Sequence, residues 1–222
     1  MKIKAIIFDL DGTLLDSMHC WENVDKNFLL ENGVEPPEGV SDIVKKMTIQ
    51  DSANYFKTQF SLPQSCDEII DRIEEMVREQ YERIIPLKNG AGELVEKLEA
   101  EGIKMCVASA TYNSLADAAL NRLGIDKSLE FILTCSDVGV GKDKPDIFNI
   151  AAEKMGGSTA DTIVVEDSLH CIETAARAGF KTIAVYDDIA RKEWDDICCV
   201  SWKNVRNLTD IFEIVRKENE NG

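Results

Sequence analysis

The sequence predicts an α/β fold, in which a parallel sheet forms the core and a helical domain is inserted after the first strand. Ala5-Ile-Ile-Phe8 is a short apolar run without polar alternation, which is typical of a strand buried on both faces. Residues 16–85 carry helical periodicity only, whereas helix and strand patterns alternate from Pro86 onward. We therefore predict a core domain of residues 1–15 and 86–222, with residues 16–85 as an inserted α-helical cap domain.

The inserted segment contains four predicted helices. The first has apolar residues at three- and four-residue steps, namely Met18, Trp21, Val24 and Phe28. The other three are predicted over about residues 40–47, 50–60 and 67–85, and prolines follow the last two. A helical stretch of this length without a strand indicates an inserted domain rather than a crossover between neighbouring strands.

Helices and strands then alternate through the rest of the chain. The predicted strands cover residues 103–109, 131–134, 162–166, 181–185 and 197–201. The predicted helices cover about residues 91–101, 114–123, 146–155 and 169–178, and a last one begins near residue 208. This alternation predicts a parallel sheet with helices on both faces, whose strands all end at the same edge.

The composition indicates an acidic globular protein. The 222 residues are 44% hydrophobic and 30% charged, and the net charge of −16 disfavours nucleic acid and anionic membranes as partners. No apolar run approaches the roughly 18 residues of a membrane span, and the chain starts with a strand rather than a signal peptide. We therefore expect a cytoplasmic protein, whose seven cysteines are reduced because they lack metal-binding or disulfide spacing.

Two aspartates directly follow the first strand. Asp9 and Asp11 project to the same side while the chain is extended, and Gly12 permits a sharp turn after them. Because neighbouring carboxylates repel each other, the pair needs a bound cation or a retained proton. For so short a pattern, an Asx turn or a helix cap is the alternative.

Three further polar groups stand between a predicted strand and a predicted helix. Ser109 offers a hydroxyl and neighbouring amides to a phosphate, and Glu166 with Asp167 offers the hard oxygen ligands that Mg²⁺ prefers. Lys142 and Lys144 each offer a cation to a phosphoryl oxygen or a buried carboxylate. Taken singly, each of these residues also fits a helix cap or a solvated loop charge. If the strands share one parallel sheet, however, all of them meet the two aspartates at its carboxyl edge.

These stretches resemble, in order, the four motifs of the haloacid dehalogenase-like hydrolase superfamily. The stretches are Phe8-Asp9-Leu-Asp11-Gly-Thr13, Val107-Ala-Ser109, Gly141-Lys142-Asp-Lys-Pro-Asp146 and Val165-Glu166-Asp167-Ser168. The resemblance covers nearly the whole chain, and the inserted helices resemble the cap of the β-phosphoglucomutase-like branch. It implies a Rossmann-like core with a helical cap that closes over the substrate.

The resemblance implies a phosphatase that works through an aspartyl-phosphate. Asp9 would be the nucleophile, and Asp11 would protonate the leaving oxygen and then activate water. Mg²⁺ would be held by Asp9, the backbone carbonyl of Asp11 and Asp167, with Glu166 close by. The phosphoryl group would be bound by Thr13, Ser109, the Ala110 amide and Lys142. Lys142 is preferred over Lys144 because it keeps the Gly-Lys pair of the family's third motif.

The main alternative is a sugar-phosphate mutase of the same family. Those mutases carry a histidine where this chain has Trp21, and a Gly-x-x-Arg in the cap where it has residues 46–49. Lys45 and Lys46 could contact substrate from the cap instead. A non-catalytic phosphate-binding or signalling protein is the alternative from another class, although no motif aspartate is missing. The implied partner is a small phosphorylated metabolite, whose identity the sequence leaves open together with the oligomeric state.

Overall fold

The structure is a computed structural model that describes residues 2–44, 47 and 49–221. The candidate cap lysines, Lys45 and Lys46, lie outside these residues. The described residues form an α/β architecture with a parallel sheet, so the predicted fold class is confirmed.

The chain passes out of its larger unit and back into it at adjacent points. The Asp16 amide donates to the Pro86 carbonyl at 3.1 Å, and Leu15 forms a β-bridge with Leu87. Both contacts lie within the larger unit, so the two ends of the insertion are joined there. The two compact units consist of Met1–Asp16 with Pro86–Gly222 and of Ser17–Ile85.

A six-stranded parallel sheet forms the larger unit. Its strands are β1 (Ala5–Phe8), β2 (Lys104–Ser109), β3 (Ile132–Thr134), β4 (Thr162–Glu166), β5 (Lys181–Val185) and β6 (Lys203–Val205). They run in the order β3-β2-β1-β4-β5-β6, and every neighbouring pair is parallel. All residues of β1 and β4 are buried, as expected for apolar strands covered on both faces. Phe8 pairs with Val107 on one side and Val165 on the other, which aligns the ends of the three central strands.

In the described residues of the smaller unit, all the regular secondary structure is helical. Its helices are α1 (Met18–Glu31), α2 (Val40–Val44), α3 (Ile49–Gln59) and α4 (Cys66–Glu79), followed by the π-helical turn Gln80–Ile84. Phe28, Phe56 and Ile69, from α1, α3 and α4, pack together in its apolar core. At the start of α4, Ser65 and Glu68 form a reciprocal capping box. The unit therefore has a core and helix-end signals of its own.

Seven helices flank the sheet in the described part of the larger unit. They are α5 (Ala91–Ala100), α6 (Asn113–Leu123), α7 (Cys135–Val138), α8 (Asp146–Lys154), α9 (Leu169–Arg177), α10 (Trp194–Val200) and α11 (Thr209–Asn221). Ile7 of β1 and Val164 of β4 share an apolar cluster with Phe148 of α8 and Ala175 of α9. In the portion of the chain that the structure describes, no helix is long and apolar enough to cross a lipid bilayer. The seven cysteines all lie in the described residues, and none of them forms a disulfide.

The predicted strand at residues 197–201 is wrong. Residues Trp194–Val200 form α10, and the sixth strand follows it at Lys203–Val205. Ile197 and Trp194, one helical turn apart, share a cluster with Ala184 of β5, while Val200 is exposed. So short an apolar run fits a buried helix segment as well as a strand, and only its packing distinguishes the two.

The half-buried Asp25 on α1 gives a stability prediction. Burial raises its pKa to about 6, although Lys26 opposes the shift. When folding raises the pKa of a carboxyl, the protein becomes less stable as the pH rises from the pKa of that carboxyl in the unfolded state through its pKa in the folded state. We expect Asp25→Asn to stabilise the protein above pH 7 by about 1 kcal/mol, or roughly 2–4 °C in Tm, and to flatten the pH dependence between about pH 4 and 6.

Thermal unfolding at several pH values measures this effect. Asp71→Asn is the matched control, because it removes the same charge from an exposed position on α4. A Tm for Asp25→Asn at or below that of the unsubstituted protein above pH 7 would show that Asp25 is not destabilising there.

Candidate functional site

The candidate site begins at the carboxyl ends of the central strands. Asp9 follows β1, and its amide donates to the Val165 carbonyl of β4 at 2.9 Å. Gly12 has a φ of +84°, a left-handed conformation that strains other residues, and its amide donates to the Leu15 carbonyl at 2.9 Å. This turn keeps Asp9 and Asp11 at the edge where open parallel sheets bind their ligands.

Asp9, Glu166 and Asp167 form a buried carboxylate cluster. They are 8%, 1% and 4% exposed, and one oxygen of each lies within 4.8 Å of the others. Glu166 is already engaged, because one of its oxygens accepts from Lys142 at 2.8 Å and the other accepts the amides of Asp167 and Ser168 at 3.0 and 3.1 Å. A divalent cation would therefore find its carboxylate oxygens mainly on Asp9 and Asp167.

Burial and mutual repulsion affect the ionisation of this cluster. Burial raises the pKa of Asp9 to about 7, with the charge of Glu166 adding to the rise and Lys142 opposing it. Burial and the charges of Glu166 and Asp9 also raise the pKa of Asp167 well above its usual range. A bound cation favours the ionised form of a carboxyl, so these hard oxygens fit a divalent ion such as Mg²⁺.

Lys142 supplies positive charge inside the cluster. It is 6% exposed, and its Nζ donates to a carboxylate oxygen of Asp9 and to Glu166. Burial disfavours the charged form of Lys142, yet Asp9 and Glu166 raise its pKa well above the usual value. The same interaction outweighs burial at Glu166 and lowers its pKa. Lys144, the other candidate, is exposed.

Asp11 is contacted by Thr111, which is not among the candidate residues of the sequence analysis. The hydroxyl of Thr111 donates to Asp11 Oδ2 at 2.6 Å, and the Thr111 amide donates to Ser109 Oγ at 3.0 Å. Ser109 is the last residue of β2 and is buried. The structure thus links Ser109 to Asp11 through Thr111. Thr111 lies two residues beyond the end of β2, and this position is the sequence signal that could have indicated the contact.

Thr13 and Ala110 differ in their accessibility. Thr13 is fully buried, and within the described residues its hydroxyl has no hydrogen-bond partner. Ala110 is exposed directly after β2. Ala110 is therefore open to solvent, whereas the Thr13 hydroxyl is enclosed, and the phosphate-binding role of Thr13 stays a prediction.

Two charged residues that the sequence analysis missed lie at the same edge. Lys88 Nζ donates to the Gly12 carbonyl and to Asp187 Oδ2, the latter at 2.7 Å. Asp187 is buried and follows β5, so it shows the sequence pattern of the other site residues, a polar residue after a largely apolar strand. Lys88 has no comparable sequence signal, because its position depends on the bridge between Leu15 and Leu87.

Comparison with protein families gives a match over most of the chain. The model of the haloacid dehalogenase-like hydrolases matches residues 6–185. Hexitol phosphatase A of Escherichia coli is 30% identical over 185 residues, which are 83% of this chain and 84% of that protein. The pyrophosphatase PpaX of Halalkalibacterium halodurans is 24% identical over 222 residues, which are 97% of this chain and 98% of that protein.

Solved structures share the fold. The β-phosphoglucomutase of Clostridium difficile superposes with a TM-score of 0.73 at 18% identity. The superposition covers 99% of this chain and 98% of that one. At this identity the likeness concerns the architecture alone.

Proposed function

The chain belongs to the haloacid dehalogenase-like hydrolase family, and we propose that it is a Mg²⁺-dependent phosphatase of small phosphomonoesters. The position of Lys142 between Asp9 and Glu166, in the cluster with Asp167, is the observation that carries this proposal. A buried cation favours the ionised form of Asp9, which is the form that attacks phosphorus. The hexitol phosphatase and pyrophosphatase among the relatives support a small phosphorylated substrate.

Mg²⁺ would be held by the carboxylates of Asp9 and Asp167 and by the Asp11 carbonyl. Glu166 would not be a direct ligand but would position Lys142 and the Asp167 backbone, since its oxygens already accept three hydrogen bonds. When bound, the ion supplies positive charge that offsets the repulsion between Asp9 and an anionic phosphate.

Asp9 and Asp11 would divide the chemistry between them. In the first step an Asp9 oxygen bonds to phosphorus while the bond from phosphorus to the leaving oxygen breaks, and Asp11 gives that oxygen a proton. In the second step a water oxygen bonds to phosphorus, Asp11 takes the water's proton, and the bond to Asp9 breaks to release phosphate. The hydrogen bond from Thr111 holds the Asp11 carboxylate in place for both transfers.

The phosphoryl oxygens would be bound by the groups around Asp9. Lys142 Nζ neutralises charge, while Ser109 Oγ and the Ala110 amide offer donors at the end of β2. Fixed donors and cations of this kind stabilise the charge that spreads over the phosphoryl oxygens in the transition state.

Trp21 supports hydrolysis over the mutase alternative. Its indole Nε1 donates to the Tyr81 hydroxyl at 3.0 Å, and the two rings meet edge to face with centroids 6.3 Å apart. An indole N–H donates a hydrogen bond but has no group that titrates near neutral pH, so it is neither a general acid nor a general base. The position therefore lacks the acid–base group that a histidine would provide.

Phosphate release from a panel of small phosphorylated compounds tests the proposal. The panel includes hexitol phosphates, other sugar phosphates, nucleoside monophosphates and pyrophosphate, each assayed with Mg²⁺ and with EDTA. We expect release from at least one monoester class with Mg²⁺, loss of release with EDTA, and recovery when Mg²⁺ is restored. The same reactions are analysed for isomerised sugar phosphate. An isomerised product without released phosphate would favour the mutase and contradict the phosphatase.

A further inference from the structure

Lys88 is held in a fixed position beside the turn that carries Asp11. Its amide donates to the Leu14 carbonyl at 2.8 Å, and the preceding Leu87 bridges to Leu15. Its Nζ donates to the buried Gly12 carbonyl, and the side chain is 16% exposed. The ammonium group is therefore largely withdrawn from solvent and held at the turn directly after Asp11.

Asp187 is the partner that balances this charge. Its Oδ2 accepts from Lys88 at 2.7 Å, and its Oδ1 accepts from the Ile189 amide at 3.0 Å. It follows β5, the neighbour of β4, whose end carries Glu166 and Asp167. Both oxygens of this buried carboxylate are engaged, so Asp187 acts as a counter-charge and not as a free ligand.

Both members of the pair act electrostatically on Asp167. Lys88 lowers the pKa of Asp167 and Asp187 raises it, although burial is the largest influence on that carboxyl. The electrostatic effects of Lys88 and Asp187 on Asp167, which we place in the metal site, are therefore opposite in sign. Neither Lys88 nor Asp187 has a part in the reaction steps proposed for Asp9 and Asp11.

We propose that Lys88 and Asp187 balance each other's charge beside the Asp9, Glu166 and Asp167 cluster, so that neither charge alone shifts the affinity of the cluster for its divalent cation. The inference rests on the proposed function, because it assumes that this cluster holds Mg²⁺. A paired ammonium and carboxylate add nearly no net charge to the site. Removing one charge leaves the other uncompensated near the proposed cation, and charges in a largely buried site interact more strongly than charges in water.

Opposite shifts in Mg²⁺ affinity distinguish this role from that of a structural brace. Lys88→Gln keeps a hydrogen-bond donor for the Gly12 carbonyl but leaves Asp187 uncompensated, so Mg²⁺ binding tightens. Asp187→Asn leaves the positive charge of Lys88 uncompensated, so Mg²⁺ binding weakens. We expect each Kd to change by about tenfold, in opposite directions, and the double variant to bind close to the original affinity. A brace that only maintained geometry would weaken binding in both single variants.

Calorimetric titration of the full chain with MgCl₂ alone measures these constants without relying on turnover. The matched controls are Asp188→Asn and Lys97→Met, which remove the same charges from exposed positions. The Tm of each metal-free variant establishes that it is folded, and Lys88→Met replaces Lys88→Gln if the latter is not. Shifts of the same sign, or no shift in either single variant, overturn the inference while leaving the phosphatase intact. An unsubstituted protein that binds no Mg²⁺ overturns the proposed metal dependence and the inference together.

Discussion

Asp9→Asn is expected to abolish phosphate release, with a fall in kcat of at least about 10³-fold. The amide is nearly isosteric with the carboxylate but cannot form the bond to phosphorus, so the first step of the proposed reaction is lost. Folding should not suffer, because burial already opposes the charge of Asp9 by raising its pKa to about 7. The measurement is phosphate release under steady-state conditions at saturating substrate, with the Tm of the metal-free variant alongside.

Asp16→Asn is the control for this substitution. Asp16 is exposed and lies seven residues further along the same segment, so its loss changes the net charge equally without touching the cluster. We expect the control to keep its rate. An Asp9→Asn variant that retained a tenth or more of the original kcat would exclude Asp9 as the nucleophile.

Lys142→Met is expected to damage both stability and activity. The substitution leaves the buried carboxylates of Asp9 and Glu166 without the cation that both contact. Breaking a buried ion pair by removing one partner costs about 3 kcal/mol, or roughly 6–12 °C in Tm for a chain of this size. The rate should fall by at least about 10²-fold, since the proposed phosphoryl site loses the positive charge of Lys142. Thermal unfolding and steady-state kinetics measure the two effects.

Lys144→Met and a double variant test whether the two effects of Lys142→Met come from its contacts with the buried carboxylates. Lys144 stands two residues away on the same loop but is exposed, so its loss should change neither quantity appreciably. Adding Glu166→Gln to Lys142→Met removes one uncompensated charge and should restore part of the lost stability without restoring the rate. If Lys144→Met impaired turnover more than Lys142→Met, the assignment of the active-site lysine would be reversed.

The fold and the family were predictable because their signals are local. Asp9, Ser109 and Glu166 each terminate or directly follow an apolar run, and parallel strands bring such ends to one edge. The family match over residues 6–185 and the parallel sheet confirm those two predictions. The roles of the individual site residues remain predictions, which the substitutions above are designed to test.

The features that the sequence did not predict depend on contacts between distant segments. Residues 194–200 became a helix because Trp194 and Ile197 pack with Ala184 of β5, which no local pattern indicates. Lys88 reaches Asp187 across 99 positions of the chain. The Gly-Lys pair of the third motif, by contrast, already favours Lys142 over Lys144, and the structure adds that Lys142 is buried and Lys144 exposed.

The joined ends of the insertion make the chain modular. The Asp16 amide donates to the Pro86 carbonyl, and Leu15 forms a β-bridge with Leu87. The two ends of the helical insertion are therefore adjacent in the larger unit. A different insert joined between these points would leave every strand uncut and the connection from β1 to Asp9 as it is. The carboxyl edge of the sheet would then stay the same whichever insert the chain carried.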